Sequence, residues 1–178
     1  KRLETASRIV VTWSKPHPEM AGQDLSHISE ELGCDLITAA RALAPAGAIY
    51  FMMSEDDVQR ILSHPKAMIG SDGLPHDDHP HPRLWGTFPR VLGHYARERG
   101  LFTLEEAVRR MTSLPAAQFG LMERGKLNVG SYADLVLFNQ KTVIDRATFE
   151  APTRAAEGID LVMVNGRAVW ENGAATGA

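Results

Sequence analysis

The sequence predicts an α/β fold that carries antiparallel strands at its C-terminal end. Up to about residue 123, apolar runs of strand length alternate with segments in which apolar side chains recur at helical spacing. Beyond residue 124 the apolar runs are short and separated by turns, and Asn165-Gly166 is a strong signal for a two-residue hairpin loop. We therefore expect one domain over residues 1–123 and a second over residues 124–178.

Composition and charge restrict the classes of protein to which the chain can belong. Its 178 residues are enough for one domain, or for one domain with a small appendage. The formal net charge is −3 and acids and bases are mixed along the chain, so a nucleic-acid partner is not indicated. No stretch approaches the ~20 apolar residues of a membrane span, so no membrane partner is expected. The single cysteine, Cys34, excludes an internal disulfide and fits a reducing compartment, which favours a cytoplasmic protein.

The first elements are expected to be a strand and a helical hairpin. Residues 9–13 form a short β-branched and aromatic run that is typical of a strand. Two apolar stripes at helical spacing follow within residues 24–43, where Gly33 separates them and Pro45 ends the second. We expect this hairpin to be an insertion near residues 24–44.

A strand, a helix and a second strand follow, in the order of a βαβ unit. Residues 46–53 are a continuous apolar run, and Ser54 then occupies the N-cap position of a helix with acidic residues in its first turn. Residues 67–70 are a second short apolar run. This order favours a parallel sheet, and Met52 and Met53 are expected to lie in its core.

Two further helices are expected before the C-terminal strands. Apolar residues on one side of residues 89–99 predict the first of them. Thr103 and Glu106 have the spacing of a capping box, which predicts the start of the second. Strands are then expected within residues 133–138, 159–164 and 168–170.

The candidate catalytic and substrate-binding residues are concentrated between positions 70 and 86, and the first of them is Asp72. It directly follows the predicted strand over residues 67–70 and is flanked by Gly70 and Gly73. At a strand end of this kind a carboxylate can touch a metal ion, accept a proton from bound water and pass it to a leaving nitrogen. The alternative is that Asp72 only caps the following turn while a glycine supplies a positive φ. The local pattern leaves both interpretations open.

Arg83 is the second candidate, one loop beyond Asp72 and just before the helix predicted over residues 89–99. A guanidinium at this position can form a bidentate pair with a substrate carboxylate. The alternative is a structural ion pair with Asp77 or Asp78, and the local pattern does not decide between the two.

Three histidines, His76, His79 and His81, lie in the same segment. Their spacings of three and two residues match no closed structural zinc pattern. Prolines between and around them hold the loop extended and spread the side chains apart. A solvated, substrate-facing loop is therefore favoured over a self-contained metal cluster. Trp85 and Phe88 are expected to pack the next helix rather than to line a pocket.

Several runs in and around this segment form a specific set of motifs. The most specific are residues 69–75, Ile-Gly-Ser-Asp-Gly-Leu-Pro, and residues 81–86, His-Pro-Arg-Leu-Trp-Gly. Others are residues 12–14, 16–19, 45–51, 123–125, 130–138 and 164–166. Together they resemble the D-aminoacylases, which are the N-acyl-D-amino-acid deacylases of the amidohydrolase superfamily. The resemblance covers nearly all of the chain.

This resemblance implies the C-terminal part of a (β/α)8 metallo-dependent hydrolase barrel, followed by strands of a small β-sandwich. It also implies one or two zinc ions and hydrolysis of the amide bond of N-acyl-D-amino acids. Asp72 matches the family's strand-eight aspartate, which coordinates or abuts the metal and acts as general base and then general acid. Arg83 matches an arginine that resembles the family's clamp for the substrate carboxylate, and Arg2 aligns near a position that contacts substrate in some members.

The sequence departs from the family pattern in its metal ligands. The family's His-x-His pair, its cysteine ligand and its later metal-binding histidines are expected upstream, and Cys34, in the helical insertion, is not assigned as a ligand. We therefore expect the chain to be a piece of a longer polypeptide whose remainder completes the barrel, and to be inactive alone. Two alternatives are another amidohydrolase, of the cyclic-amidase or dipeptidase-like kind, and a non-catalytic assembly module.

Overall fold

The computed structural model of the chain describes residues 8–75 and 77–178 and has an α/β fold. Its strands are β1 (Ile9–Ser14), β2 (Ala46–Tyr50), β3 (Leu135–Phe138), β4 (Ile159–Val164), β5 (Arg167–Glu171) and β6 (Ala174–Ala175). Its α-helices are α1 (Leu25–Glu31), α2 (Leu36–Ala42), α3 (Glu55–Leu62), α4 (Arg83–Arg90), α5 (Leu104–Met111) and α6 (Ser113–Gln118). A 3-10 helix spans Pro18–Met20 and a π-helix spans Val91–Glu98. None of the helices in these residues is long and apolar enough to cross a membrane.

The helical hairpin predicted within residues 24–43 is confirmed as α1 and α2. Asp24 caps α1 by accepting a hydrogen bond from the backbone N–H of His27, and Asp35 caps α2 in the same way. The hairpin packs its apolar side onto β1, where Ile28 and Val11 are buried in one core cluster. The hairpin is therefore held by apolar contacts with the first sheet.

The predicted starts of α3 and α5 are also confirmed. The hydroxyl of Ser54 accepts a hydrogen bond from the backbone N–H of Asp57, at 3.2 Å. The hydroxyl of Thr103 accepts one from the backbone N–H of Glu106, also at 3.2 Å. Each hydroxyl satisfies a donor that the first turn of a helix cannot pair within itself, which is why these positions could be found from sequence.

The prediction of a βαβ unit with a parallel sheet is wrong within the described residues. Strand β2 pairs with β1, antiparallel, with Val10 opposite Ile49. Residues 67–70 form no strand, and the N–H of Ile69 donates instead to the backbone oxygen of Arg110 at 3.2 Å. A strand needs a neighbour to pair with, and the residues that lie beside Ile69 here belong to the end of a helix.

The helix predicted over residues 89–99 begins earlier, at Arg83. Helix α4 continues directly into the π-helix, so that Arg83 is the first residue of a long helical segment rather than part of a loop. Val91 and Leu92 from this segment enter a second core cluster. Val143, which is fully buried, joins the same cluster from the C-terminal part of the chain. The boundary between domains near residue 123 stays a prediction.

The C-terminal strands form an antiparallel sheet in the order β3-β4-β5-β6. The predicted hairpin turn between β4 and β5 is confirmed, because Asn165 and Gly166 both have positive φ, 52° and 79°. Arg124 fixes this turn through hydrogen bonds to Asn165, at 2.7 Å, and to Asp134. Val136 and Leu137 of β3 remain more than half exposed.

Candidate functional site

The backbone at Asp72 adopts an unusual conformation. Its φ is +48°, in the left-handed region, which aspartate tolerates better than most residues but which still carries strain. The positive φ that sequence analysis gave to a neighbouring glycine therefore lies at the aspartate itself. Gly73 has a different role, because a Cβ on this residue would lie 2.5 Å from Cδ1 of Leu84. Its missing side chain lets the segment 70–74 approach the start of α4 closely.

This close approach places Asp72 beside Arg83. Nη2 of Arg83 lies 2.8 Å from Oδ2 of Asp72, an ion pair at hydrogen-bond distance. The carboxylate is open to solvent, with its side chain 83% exposed, whereas the side chain of Arg83 is 39% exposed. The two residues that sequence analysis selected are thus in direct contact, and the turn-cap alternative for Asp72 gains no support from this geometry.

Arg83 lines a cavity of about 450 Å³, which we call the Arg83 cavity. Its wall consists mainly of β2, the residues that follow β2 and the loop before α4. The residues that line it include Thr12, Met53, His81, Arg83 and Phe149. Met52 and Met53 are 65% and 67% exposed and both line this cavity, so the prediction that they lie in the core is wrong. Trp85 and Phe88 do not line it, and each is 45% exposed.

His81 supports the start of α4. Its Nδ1 accepts a hydrogen bond from the backbone N–H of Arg83 at 3.0 Å, so the proton of the neutral ring lies on Nε2. Burial lowers the pKa of this imidazole, the positive charge of Arg83 lowers it further, and Asp72 opposes both effects. A neutral His81 keeps the acceptor that holds the Arg83 backbone in place.

Two polar atoms of the cavity wall are buried and lack a hydrogen-bond partner within residues 8–75 and 77–178. They are Nε of Arg83 and Oγ1 of Thr12. Buried polar groups are nearly always paired, so such atoms are candidates for contact with a ligand. The Nε donor of Arg83 is therefore unused, while Nη2 pairs with Asp72.

A metal site is not assembled from the described residues alone. Among them, no group of three or more His, Cys, Asp and Glu side chains converges on one point. Cys34 packs against the core cluster beneath the helical hairpin, and Nε2 of His79 lies 2.6 Å from the backbone oxygen of Phe149. Asp72 is the one sequence-predicted ligand. Two sequence-predicted residues, Arg2 and His76, lie outside the described residues.

Sequence analysis missed the contribution of Phe149 to this site. Its ring lies 5.2 Å from the ring of His81 in a T-shaped arrangement and 4.5 Å from the ring of Phe51. Phe149 follows a polar loop, and nothing in its neighbourhood indicates contact with residues so far away in sequence. Thr12 belongs to a motif quoted above, but its place in the cavity depends on tertiary structure.

Comparison with known proteins identifies the family to which the chain belongs. The sequence profile described as Amidohydrolase family matches residues 19–170. A D-aminoacylase of Alcaligenes xylosoxydans xylosoxydans is 59% identical over 99% of the chain, which corresponds to 36% of that relative. An N-acyl-D-glutamate deacylase of the same organism is 58% identical over 96% of the chain and 35% of its own length. The chain thus spans about a third of the length of these relatives.

Solved structures agree with the sequence relatives. A crystal structure of a D-aminoacylase has a TM-score of 0.93 and 60% identity, covering 100% of this chain and 38% of the other. The N-acyl-D-glutamate deacylase of Bordetella bronchiseptica also has a TM-score of 0.93, with 58% identity over 97% of this chain and 36% of its own. That protein was solved with zinc and a phosphonate inhibitor that mimics the tetrahedral intermediate of its reaction.

Proposed function

Because the chain belongs to the amidohydrolase family, we propose that it forms part of a zinc-dependent N-acyl-D-amino-acid deacylase. The reaction is hydrolysis of the amide bond, which releases a carboxylate and a D-amino acid. The two relatives named above, a D-aminoacylase and an N-acyl-D-glutamate deacylase, support this class of substrate. The activity is proposed for the complete polypeptide, since the chain spans about a third of these relatives.

One observation carries the proposal, namely the contact between Asp72 and Arg83 at the edge of the Arg83 cavity. The substrate has a carboxylate and an amide separated by a single carbon atom. A guanidinium and a carboxylate group 2.8 Å apart offer adjacent partners for these two groups. The pair therefore suits a compact substrate that is charged next to its scissile bond.

Asp72 is proposed as the general base and then the general acid. Its exposed carboxylate accepts a proton from the water that attacks the amide carbon. The C–N bond then breaks and the same proton passes to the leaving nitrogen. This second transfer is needed because an amine expelled as an anion is a very poor leaving group. The positive φ of Asp72 fits a functional position, where backbone strain is often found.

Arg83 is proposed to bind the carboxylate of the substrate. Its buried Nε and Nη2 lie on the same edge of the planar guanidinium, and this fork matches a carboxylate in bidentate geometry. Nη2 carries two hydrogens, so it can donate one to the substrate carboxylate and the other to Asp72. The substrate amide is thereby held close to the general base, which converts an encounter of two molecules into a reaction within one complex.

Zinc is proposed as the cofactor of the complete enzyme, with Asp72 as one ligand. When bound, zinc lowers the pKa of a coordinated water to ≈ 7. The described residues hold too few ligands to form this site themselves, so the others are proposed to come from the part of the polypeptide that corresponds to the region of the relatives that this chain does not span.

The same family membership supports a proposal for the finer fold, with residues 1–123 as the last part of a (β/α)8 barrel and residues 124–178 as strands of a small β-sandwich. The state of Cys34, a single free thiol, supports a cytoplasmic location.

The test measures hydrolysis of both enantiomers of linear N-acetyl-amino acids by the polypeptide encoded by the intact gene. We expect release of amino acid from N-acetyl-D-amino acids but not from their L enantiomers, together with bound zinc in the purified protein. Hydrolysis of cyclic amides in preference to these substrates indicates the cyclic-amidase alternative. A purified protein without zinc that hydrolyses neither class refutes the proposal and favours the assembly module.

A further inference from the structure

His79 connects three segments that are distant in sequence. Its backbone N–H donates to the oxygen of Thr12 in β1 at 2.9 Å. Its ring nitrogen Nε2 lies 2.6 Å from the backbone oxygen of Phe149, seventy residues further along the chain. Its ring also packs on Gly22, where a Cβ would lie 3.0 Å from Nδ1. The side chain is partly buried in the middle of these contacts.

The contact with Phe149 fixes the state of the imidazole. A carbonyl oxygen only accepts hydrogen bonds, so Nε2 of His79 carries a proton and donates it. The Nδ1 side of the ring faces the backbone of Gly22, whose φ of +89° is one that glycine adopts without strain. Nε2 is thus occupied by the backbone oxygen of Phe149 and is not available to a metal ion.

The residue held by this hydrogen bond lines the Arg83 cavity. The Phe149 ring is in T-shaped contact with His81, and Nδ1 of His81 accepts the backbone N–H of Arg83. A continuous series of contacts therefore leads from His79 through Phe149 and His81 to Arg83.

We propose that His79 is a positioning residue for the carboxylate clamp. By anchoring the backbone at Phe149, it holds the aromatic ring against His81 and thereby sets the position of Arg83. The anchoring itself is independent of the proposed function, whereas its effect on substrate binding rests on that function. His79 acts through other residues and does not touch the substrate.

Two amide side chains of different length provide the test on the intact polypeptide. In His79→Gln the amide nitrogen lies near the position of Nε2 and can still donate to Phe149, whereas in His79→Asn it lies near Nδ1 and cannot reach. We expect His79→Asn to raise KM for an N-acetyl-D-amino acid by roughly tenfold with kcat changed by less than about threefold, the effect of one lost hydrogen bond. We expect His79→Gln to restore most of this loss. His27→Asn, at an exposed histidine, is the matched control and is expected to keep the KM of the parent protein.

A second variant tests the path through the aromatic ring. Phe149→Leu keeps the backbone oxygen that His79 binds but removes the ring that touches His81. We expect it to raise KM to a similar extent, and we expect the double variant with His79→Asn to add little, because both changes interrupt one series of contacts. Additive effects overturn the proposal.

Fluorine NMR reports on the position of the Phe149 ring without requiring catalysis, so it tests the role of His79 independently of the proposed function. With 4-fluorophenylalanine at position 149, the fluorine resonance is expected to shift in His79→Asn and to return in His79→Gln. An unshifted resonance in a folded His79→Asn protein overturns the anchoring role. If His79→Asn does not fold, the ring nitrogens of the parent protein decide, since NMR must show a proton on Nε2 of His79. If the parent protein has no deacylase activity, the proposed function fails while the fluorine result still decides the role of His79.

Discussion

Replacing Arg83 by lysine is the most direct test of the candidate site. Lysine keeps the positive charge but replaces the planar fork of donors by a single ammonium group. It can still pair with Asp72, as Nη2 of Arg83 does at 2.8 Å, but it cannot bind a substrate carboxylate through two parallel hydrogen bonds at the same time. The substitution therefore separates charge from geometry at one position.

The expected size of the effect follows from the bond that is lost. A hydrogen bond to a charged group contributes about 1.5–3 kcal/mol, which corresponds to roughly 10- to 150-fold in kcat/KM. The side chain of Arg83 is 39% exposed, and solvent screening places the expected loss at the lower end, at about 10- to 30-fold. In the proposed role Arg83 binds the substrate carboxylate equally in the ground state and the transition state, so the change should lie mainly in KM.

The assay measures initial rates on an N-acetyl-D-amino acid and on the corresponding N-acetylamine, in which hydrogen replaces the carboxylate. The Arg83→Lys enzyme should lose kcat/KM only on the first substrate. Arg60→Lys is the control, since Arg60 lies on α3 with its side chain 80% exposed. An unchanged KM removes Arg83 from the clamp. Equal losses on both substrates instead show that Arg83 acts on the amide through Asp72.

Three further predictions concern the proposed general base and two charged side chains of α5, Arg110 and Glu106. Asp72→Asn should lower kcat on the order of 10³-fold in a folded protein, measured together with zinc content, and full activity contradicts the assignment. Arg110 is 4% exposed and donates to the backbone oxygens of Leu62 and His64, so Arg110→Met should reduce the free energy of unfolding by about 3 kcal/mol in urea titrations. The more exposed Arg109→Met is its control, and an equal loss there contradicts the role of burial. Hydrogen bonds from Arg109 and then Arg110 lower the pKa of Glu106 from 4.5 to about 2. The stabilisation contributed by the ionised Glu106 carboxylate is therefore complete above about pH 4.5 and is lost as the pH falls through 2. Glu106→Gln should flatten the pH dependence of the free energy of unfolding in that window, and an unchanged dependence contradicts the pairing.

The sequence by itself determined those elements whose stabilising contacts are local. Ser54 and Thr103 each accept a hydrogen bond from a donor three residues away, so their positions mark the starts of α3 and α5 wherever these helices pack. Asn165 and Gly166 adopt positive φ within a turn of their own. Asp72 and Arg83 were selected from residue types, local spacing and resemblance; the structure shows that they are in contact, and their roles stay a prediction.

Only the tertiary structure decided the contacts between distant segments. Residues 67–70 are apolar enough for a strand, but strand formation depends on a neighbour, and Ile69 finds the end of α5 instead. Met53 was expected in the core because its side chain is apolar, yet it lines a cavity because it follows the end of β2. The partner of His79 lies seventy residues away, and no local pattern specifies a pairing at that separation, since it arises only when packing brings the segments together.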